Sequence, residues 1–301
     1  MNEPAVRFSG VQKSYGKSVA LRDLTLEVGR GELLGLVGVN GAGKTTTLSL
    51  VMGFIQASSG TAEVLGSDPW RDAAALHKRI AWLPGDVRLP DGISGREWLT
   101  YQLSAAGLDR GRLEGLAEEW EVPLEQPMQT LSKGNRQKVA LLRLLASDAE
   151  LLVLDEPTSG LDPVAQERLL VALRERARHG ATVLFSSHSL AEVQTLCDRI
   201  AVIDAGRVLQ TGTLTGLTGG TQTLRVWTRD AMQPQALEGL HANLVTPTHA
   251  ILEGARLLQD ALPRLEPFGV ERAEFGGLGL EELLERAHRS GSSGTVQKVM
   301  R

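Results

Sequence analysis

The eight residues GVNGAGKT at 38–45 restrict the fold more than any other part of the chain. They follow the apolar run LLGLV at 33–37 and precede the helix-like TTLSLVMG at 46–53. A strand, a glycine-rich turn and a helix start, in that order, let successive backbone N–H groups converge on phosphate oxygens, and the helix dipole adds to the attraction. The pattern G-x-x-x-x-G-K-[ST] gives each residue a task. Gly38, Asn40, Gly41, Ala42, Gly43 and Thr46 line the phosphate cradle, Lys44 reaches the β- and γ-phosphates, and the Thr45 hydroxyl binds Mg²⁺. With 33 Gly in 301 residues and lysine scarce, such a match arises by chance about once in a hundred chains of this composition.

A second run, LLVLDE at 151–156, supplies the acids such a cradle needs. An apolar strand ending in Asp155 puts a carboxylate beside the phosphate loop, where it can hold Mg²⁺ through water. Glu156, one residue on, is positioned to orient or deprotonate an attacking water.

Further short aliphatic runs, TVLFSS at 182–187 and IAVID at 200–204, are bounded by polar or glycine residues and lack alternation. Strands of this kind are buried on both faces, so the core is expected to be a mostly parallel sheet covered by helices. Residues 163–178 carry apolar positions at helical spacing behind Pro163, which suits a first helical position. Residues 1–30 alternate apolar and polar side chains, as half-exposed antiparallel strands do. Residues 94–147 hold no strand-like run and read as a helical subdomain inserted in the core, spanning about 86–147.

The Gly/Thr-rich stretch TGTLTGLTGG at 211–220 marks a boundary. Beyond it TLRVWT, a helix near 233–240, AILEG, a helix near 255–266, VERAEF and a last helix at 278–288 suggest a small α+β domain. The expected division is therefore 1–218, 221–289 and a flexible tail at 290–301.

Composition limits the partners. A net charge of -4 excludes a polybasic nucleic-acid binder, and no nucleic-acid partner is expected. The lone Cys197 excludes an internal disulfide. No apolar run nears the ~20 residues that cross a bilayer, and MNEPAVRFSG lacks a signal-peptide pattern. A reduced, intracellular, soluble chain is expected.

The run LSKGNRQ at 131–137, upstream of LLVLDEP, selects among phosphate-binding folds. It resembles the signature of ATP-binding cassette (ABC) proteins, usually L-S-G-G-Q, in the variant form LSKGN. Ser132 and Gly134 are kept, while Lys133 and Asn135 replace Gly and Gln. SGLD at 159–162, ending in Asp162, resembles the loop that runs between two cassettes of a dimer. His188 in LFSSHS matches the switch histidine, and Tyr15 in KSYG matches the aromatic that stacks on adenine, with Val19 as a wall of that pocket. The resemblance covers about residues 1–215. It implies an α/β protein: a P-loop NTPase core with an N-terminal antiparallel β subdomain, an inserted helical subdomain and a small C-terminal α+β domain.

One position departs from the pattern. After IAWLP at 80–84 the family usually has Gln or Glu, in a loop that senses Mg²⁺ and touches membrane subunits; here Gly85 is followed by Asp86. Two readings stay open: Asp86 takes over the sensing, with Gly85 turning the loop to present it, or Asp86 is a solvated turn acid before Val87 and Arg88.

The resemblance implies an ATPase using ATP and Mg²⁺, with Glu156 and His188 catalytic. It implies head-to-tail pairing with a second ABC subunit, identical or different, so that Ser132 meets the partner's ATP. It also implies a separate transmembrane permease at the cytoplasmic face of the membrane, in an exporter. The alternative is a soluble ABC ATPase that does not transport, of the DNA-repair or translation-factor type. The first needs a long coiled-coil insertion and the second two cassettes in one chain, and neither pattern occurs here.

Overall fold

The computed structural model describes residues 3–107, 111–218, 222–238, 240–253, 261, 263–277, 280, 282–284 and 287–288. The chain divides into two compact units, 1–212 and 213–301.

The first unit begins with β1 (Val6–Tyr15) and β2 (Ser18–Val28), an antiparallel hairpin, followed by β3 (Leu33–Val37), α1 (Lys44–Val51) and β4 (Ser59–Val64). A short α2 (Ala73–Leu76) leads into β5 (Ile80–Leu83). Then come the helices α3 (Gly95–Ala105), α4 (Gly111–Glu119) and α5 (Lys133–Ala146), with a single 3-10 turn at Met128–Thr130. The remainder alternates: β6 (Leu151–Asp155), α6 (Pro163–Arg178), β7 (Thr182–Ser187), α7 (Leu190–Leu196), β8 (Arg199–Asp204) and β9 (Arg207–Gly212).

Six of these strands form one sheet in the order β5-β6-β7-β3-β8-β9, parallel except for the antiparallel edge strand β9. β3, β6 and β7 are buried at every residue, which is why their sequences are unbroken apolar runs. A second sheet, in the order β2-β1-β4, is antiparallel and half-exposed. Its inner side chains Val6, Phe8, Val11, Leu21 and Leu24 share a core with Leu48 and Leu50 of α1. Each fully buried aliphatic or aromatic side chain of this kind is worth about 1.5–3 kcal/mol of transfer free energy.

The helix starts follow from local chemistry. Ser94 accepts from the Glu97 amide at 3.1 Å while the Glu97 carboxylate accepts from the Ser94 amide at 2.7 Å, so a reciprocal cap begins α3. Asp162 caps α6 ahead of Pro163, whose missing N–H costs nothing at that position. Ser132 caps α5. α7 packs on β3, and burial pushes the thiol of Cys197, which ends that helix, well above its ordinary value.

The second unit contains α8 (Leu214–Thr218), β10 (Gln222–Thr228), α9 (Pro234–Leu237), β11 (His241–Thr246), β12 (His249–Glu253) and β13 (Val270–Gly277). Its four strands make an antiparallel sheet in the order β11-β12-β10-β13. Leu224, Val226, Ala250 and Leu252 point to one face and join Met232, Ala261 and Leu265 in a separate core. On the other face Trp227 stacks on its cross-strand neighbour His249 at 4.5 Å, with Arg272 on its opposite side at 4.8 Å.

The sequence pattern foresaw neither β4, β9 nor β11, and the helix expected near 233–240 is a single turn followed by a strand. Most of the helix expected near 255–266, parts of 278–288 and all of 290–301 lie outside the described residues. Among the described residues no helix is long and apolar enough to cross a membrane.

Candidate nucleotide site

Residues 38–43 leave the end of β3 and lead into α1. Gly43 precedes the helix at φ 110°, a conformation glycine reaches without steric cost, and a β-carbon there would stand 2.8 Å from Leu21 Cδ2. Ala42 is buried and its carbonyl accepts from the Gly206 amide at 2.9 Å, which ties the loop to the turn between β8 and β9. Asn40 and Gly41 are exposed at the tip, and Thr46 is partly buried in α1.

Lys44 is 5% exposed. Its ammonium donates to the carbonyls of Gly38 at 2.8 Å and Val39 at 3.2 Å, and stands 3.6 Å from Glu156 Oε1. The Thr45 hydroxyl donates to Asp155 Oδ2 at 2.7 Å. Asp155 Oδ1 accepts from the Ser186 hydroxyl, because the parallel register of β6 and β7 sets Asp155 beside Ser186.

Glu156 has a positive φ of 44°. For a residue with a β-carbon the left-handed region costs about 1–2 kcal/mol. The turn is held by its own amide, which is shared between the carbonyl and hydroxyl oxygens of Ser186 at 3.2 and 3.1 Å. The result is a carboxylate with Oε1 toward Lys44 and Oε2 3.3 Å from His188 Nδ1. Lys44, Thr45, Asp155, Glu156 and His188 thus meet at the C-terminal ends of β3, β6 and β7, where ligands of open α/β sheets bind.

At the start of α5 the Ser132 hydroxyl accepts from the Asn135 amide at 3.2 Å. Gly134 packs against the loop after β6: a β-carbon on it would lie 2.7 Å from the Gly160 carbonyl oxygen. The same loop receives the Gln137 side-chain amide on the Pro157 carbonyl at 3.0 Å, the Lys133 ammonium 3.5 Å from Ser159 Oγ, and the Lys138 ammonium 3.4 Å from Asp162 Oδ2. The Ala165 amide, and then Lys138, hold the Asp162 carboxyl below its usual range. Sequence reasoning missed Gln137, Lys138, Ser186 and the Glu192 carboxylate of α7. Of these, only Gln137 carried a signal, a polar side chain 2% exposed on the inner face of an apolar helix.

Tyr15 sits half-exposed at the tip of the β1–β2 hairpin, with Val19 exposed nearby on β2. Lys13 lies 4.9 Å from the Tyr15 ring centre and donates to the Gln56 carbonyl at 2.8 Å, which fixes one side of the ring.

Asp86 has the surroundings of a solvated turn acid. Its carboxylate is 75% exposed and accepts from Arg88 Nε at 2.8 Å, so it turns to solvent rather than to Asp155. The position that faces Asp155 is Gly85, where a β-carbon would lie 3.3 Å from the Asp155 carbonyl oxygen and 3.6 Å from its Oδ2. A side chain there would face Asp155 once the loop gave by a few tenths of an ångström, and this sequence has none.

The ABC transporter family model matches residues 21–159. The chain is 36% identical over 205 residues to the ABC transporter ATP-binding protein NatA of Bacillus subtilis (strain 168), covering 66% of this chain and 83% of the relative. This chain belongs to the ABC transporter family. It is also 35% identical over 216 residues to the Nod factor export ATP-binding protein I of Ralstonia nicotianae, covering 69% of this chain and 67% of the relative. A solved ATP-binding subunit of an ABC transporter superposes with a TM-score of 0.67 at 30% identity, covering 72% of this chain and 92% of that one. As an ABC ATP-binding subunit the chain binds ATP and is an ATPase, and its mixed sheet is the P-loop NTPase core of ABC cassettes.

Proposed function

We propose that this ABC subunit pairs head to tail with a second cassette, each ATP lying between Lys44 of one chain and Ser132, Lys133, Gly134 and Asn135 of the other. The pair drives a separate transmembrane permease from the cytoplasmic face of the membrane, in the direction of export. The observation that carries the reading is the Glu156 carboxylate held between Lys44 at 3.6 Å and His188 at 3.3 Å, beside the Thr45–Asp155 pair.

In this reading the Lys44 ammonium leaves the Gly38 and Val39 carbonyls for the β- and γ-phosphate oxygens, with the loop amides donating beside it. Thr45 and Asp155 offer a hydroxyl and a carboxylate, hard oxygen donors of the kind Mg²⁺ takes alongside substrate phosphates. Held by these two residues, Mg²⁺ would supply charge neutralisation at the phosphates. Glu156 accepts the proton of the attacking water, and His188 keeps its carboxylate oriented. Ser132 and the first amides of α5 donate to the γ-phosphate of the partner's ATP, Tyr15 stacks on adenine beside Val19, and Asp162 lies in the loop between cassettes.

Export is supported by the name of the Ralstonia relative, and by a C-terminal unit like the small appendage of bacterial single-cassette exporter subunits. The composite site is tested by complementation. Lys44→Ala and Ser132→Arg chains are each inactive alone; mixed, they form a heterodimer with one intact site and recover activity. A double variant mixed with the unaltered chain has no intact site in the heterodimer. Equal activity in the two heterodimers, each purified away from its homodimers, contradicts the reading. Export by a partner is tested by co-purifying the full chain from detergent-solubilised membranes, where a multi-span protein should accompany it; purification without one contradicts it.

A further inference from the structure

The Glu192 carboxylate lies outside the nucleotide site and joins two of the segments that build it. On the first turn of α7, Glu192 Oε1 accepts from the Thr158 hydroxyl at 2.9 Å and Oε2 accepts from the Ser187 hydroxyl at 2.7 Å. Both hydroxyls are buried, Thr158 at 5% and Ser187 at 1% exposure. Thr158 stands two residues after Glu156, and Ser187 immediately precedes His188. The Ser187 hydroxyl also accepts from the Ser189 amide at 2.8 Å, so it fixes the chain on both sides of His188.

We propose that Glu192 is a positioning residue for the Glu156–His188 pair, resting on the reading that this pair carries out hydrolysis. One carboxylate with a separate partner on each oxygen sets the spacing between the loop after β6 and the end of β7. The Glu156–His188 contact of 3.3 Å spans that same gap. His188 is itself 61% exposed, so its ring has little packing of its own to hold it. Hydrogen bonds to a charged acceptor are the stronger class, and hence suited to this task. Glu192 contacts neither Lys44 nor the cradle loop through either bond, so its effect belongs to turnover rather than to ATP affinity.

The test compares Glu192→Ala, Glu192→Gln, Thr158→Val and Ser187→Ala in the full chain, with Glu156→Gln as control, measuring kcat, KM, ATP affinity and melting temperature. Glu192→Ala should lower kcat about tenfold or more with ATP affinity within about twofold. Glu192→Gln, which keeps one acceptor oxygen and can donate through its amide, should recover part of the loss. Thr158→Val and Ser187→Ala should each lower kcat, and Thr158→Val should not lower it further when combined with Glu192→Ala, because the bond it cuts is already gone. These two variants keep the proposal testable if Glu192→Ala fails to fold. The proposal is overturned if Glu192→Ala turns over within twofold of the unaltered chain while Glu156→Gln is inactive. It is equally overturned if ATP affinity falls in step with kcat, or if the Thr158→Val and Glu192→Ala losses add. Normal turnover by Glu156→Gln would instead overturn the hydrolytic reading on which the proposal rests.

Discussion

Gly134 at the start of α5 faces the carbonyl oxygen of Gly160 so closely that a β-carbon on it would lie 2.7 Å away. The signature segment and the loop after β6 are therefore fitted to one another within the chain, and Gln137 and Lys138 lock the fit from the next turn. Gly134→Ala forces backbone apart, and overpacking of this kind costs about 1–3 kcal/mol. A lower melting temperature together with reduced turnover is expected. An alanine variant that melts and turns over like the unaltered chain would show that the contact carries neither stability nor function.

Gly85 faces Asp155 and Asp86 faces solvent. A β-carbon at 85 stands 3.3 Å from the Asp155 carbonyl oxygen, closer than ordinary contact, so the loop must give by a few tenths of an ångström and Gly85→Gln should fold with a loss of about 1 kcal/mol. Asp86→Ala removes only a solvent-exposed ion pair with Arg88, a class worth about 0–1 kcal/mol, and should leave steady-state hydrolysis within about twofold. A tenfold loss in Asp86→Ala would return this residue to the metal site.

The Asp162 carboxyl is held below its usual range by the Ala165 amide and Lys138. A depressed folded value contributes stability that is present above the unfolded value, about 3.9 for aspartate, and is lost as pH falls through the folded value. Asn caps helices as well as Asp does, so Asp162→Asn removes the charge and keeps the cap. The variant should melt below the unaltered chain at pH 7, with the gap closing as the pH is lowered through 4 and beyond. A gap that is constant with pH would assign the effect to the cap geometry instead.

How much of this was legible in the sequence depends on the distance over which each feature is specified. GVNGAGKT, LLVLDE and LSKGNRQ are contiguous, because a backbone cradle, a strand-end acid and a helix cap each need neighbouring residues of particular types. The buried parallel strands were readable for the same reason. β4, with the burial pattern of a mostly exposed strand in SGTAEV, offers no apolar alternation to read. Ser186 and Glu192 matter only through the register of β6 on β7 and the placement of α7, which no local pattern encodes. The direction of the Asp86 carboxylate, toward Arg88 two residues on, was not legible because sequence gives proximity along the chain and not the turn of the loop.

The two units have separate cores, so their stabilities should separate as well. A chain ending between residues 212 and 220 retains every nucleotide motif and should fold and bind ATP. Trp227→Ala, which removes the ring between His249 and Arg272, should destabilise the second unit without changing ATP affinity. An insoluble or nucleotide-blind truncation would make the second unit part of the ATPase core.

The most direct measurement of the central claim is ATP turnover and ATP-dependent dimerisation of Glu156→Gln in the full chain. Removing the charge leaves Lys44, Thr45 and Asp155 in place but takes away the base between Lys44 and His188. The variant should bind ATP as tightly as the unaltered chain and lose turnover by about a hundredfold or more, in the range of general-base catalysis. With ATP it should elute as a stable dimer on size exclusion, and without ATP as a monomer. Turnover near that of the unaltered chain, or no dimer at saturating ATP despite normal binding, would contradict the account.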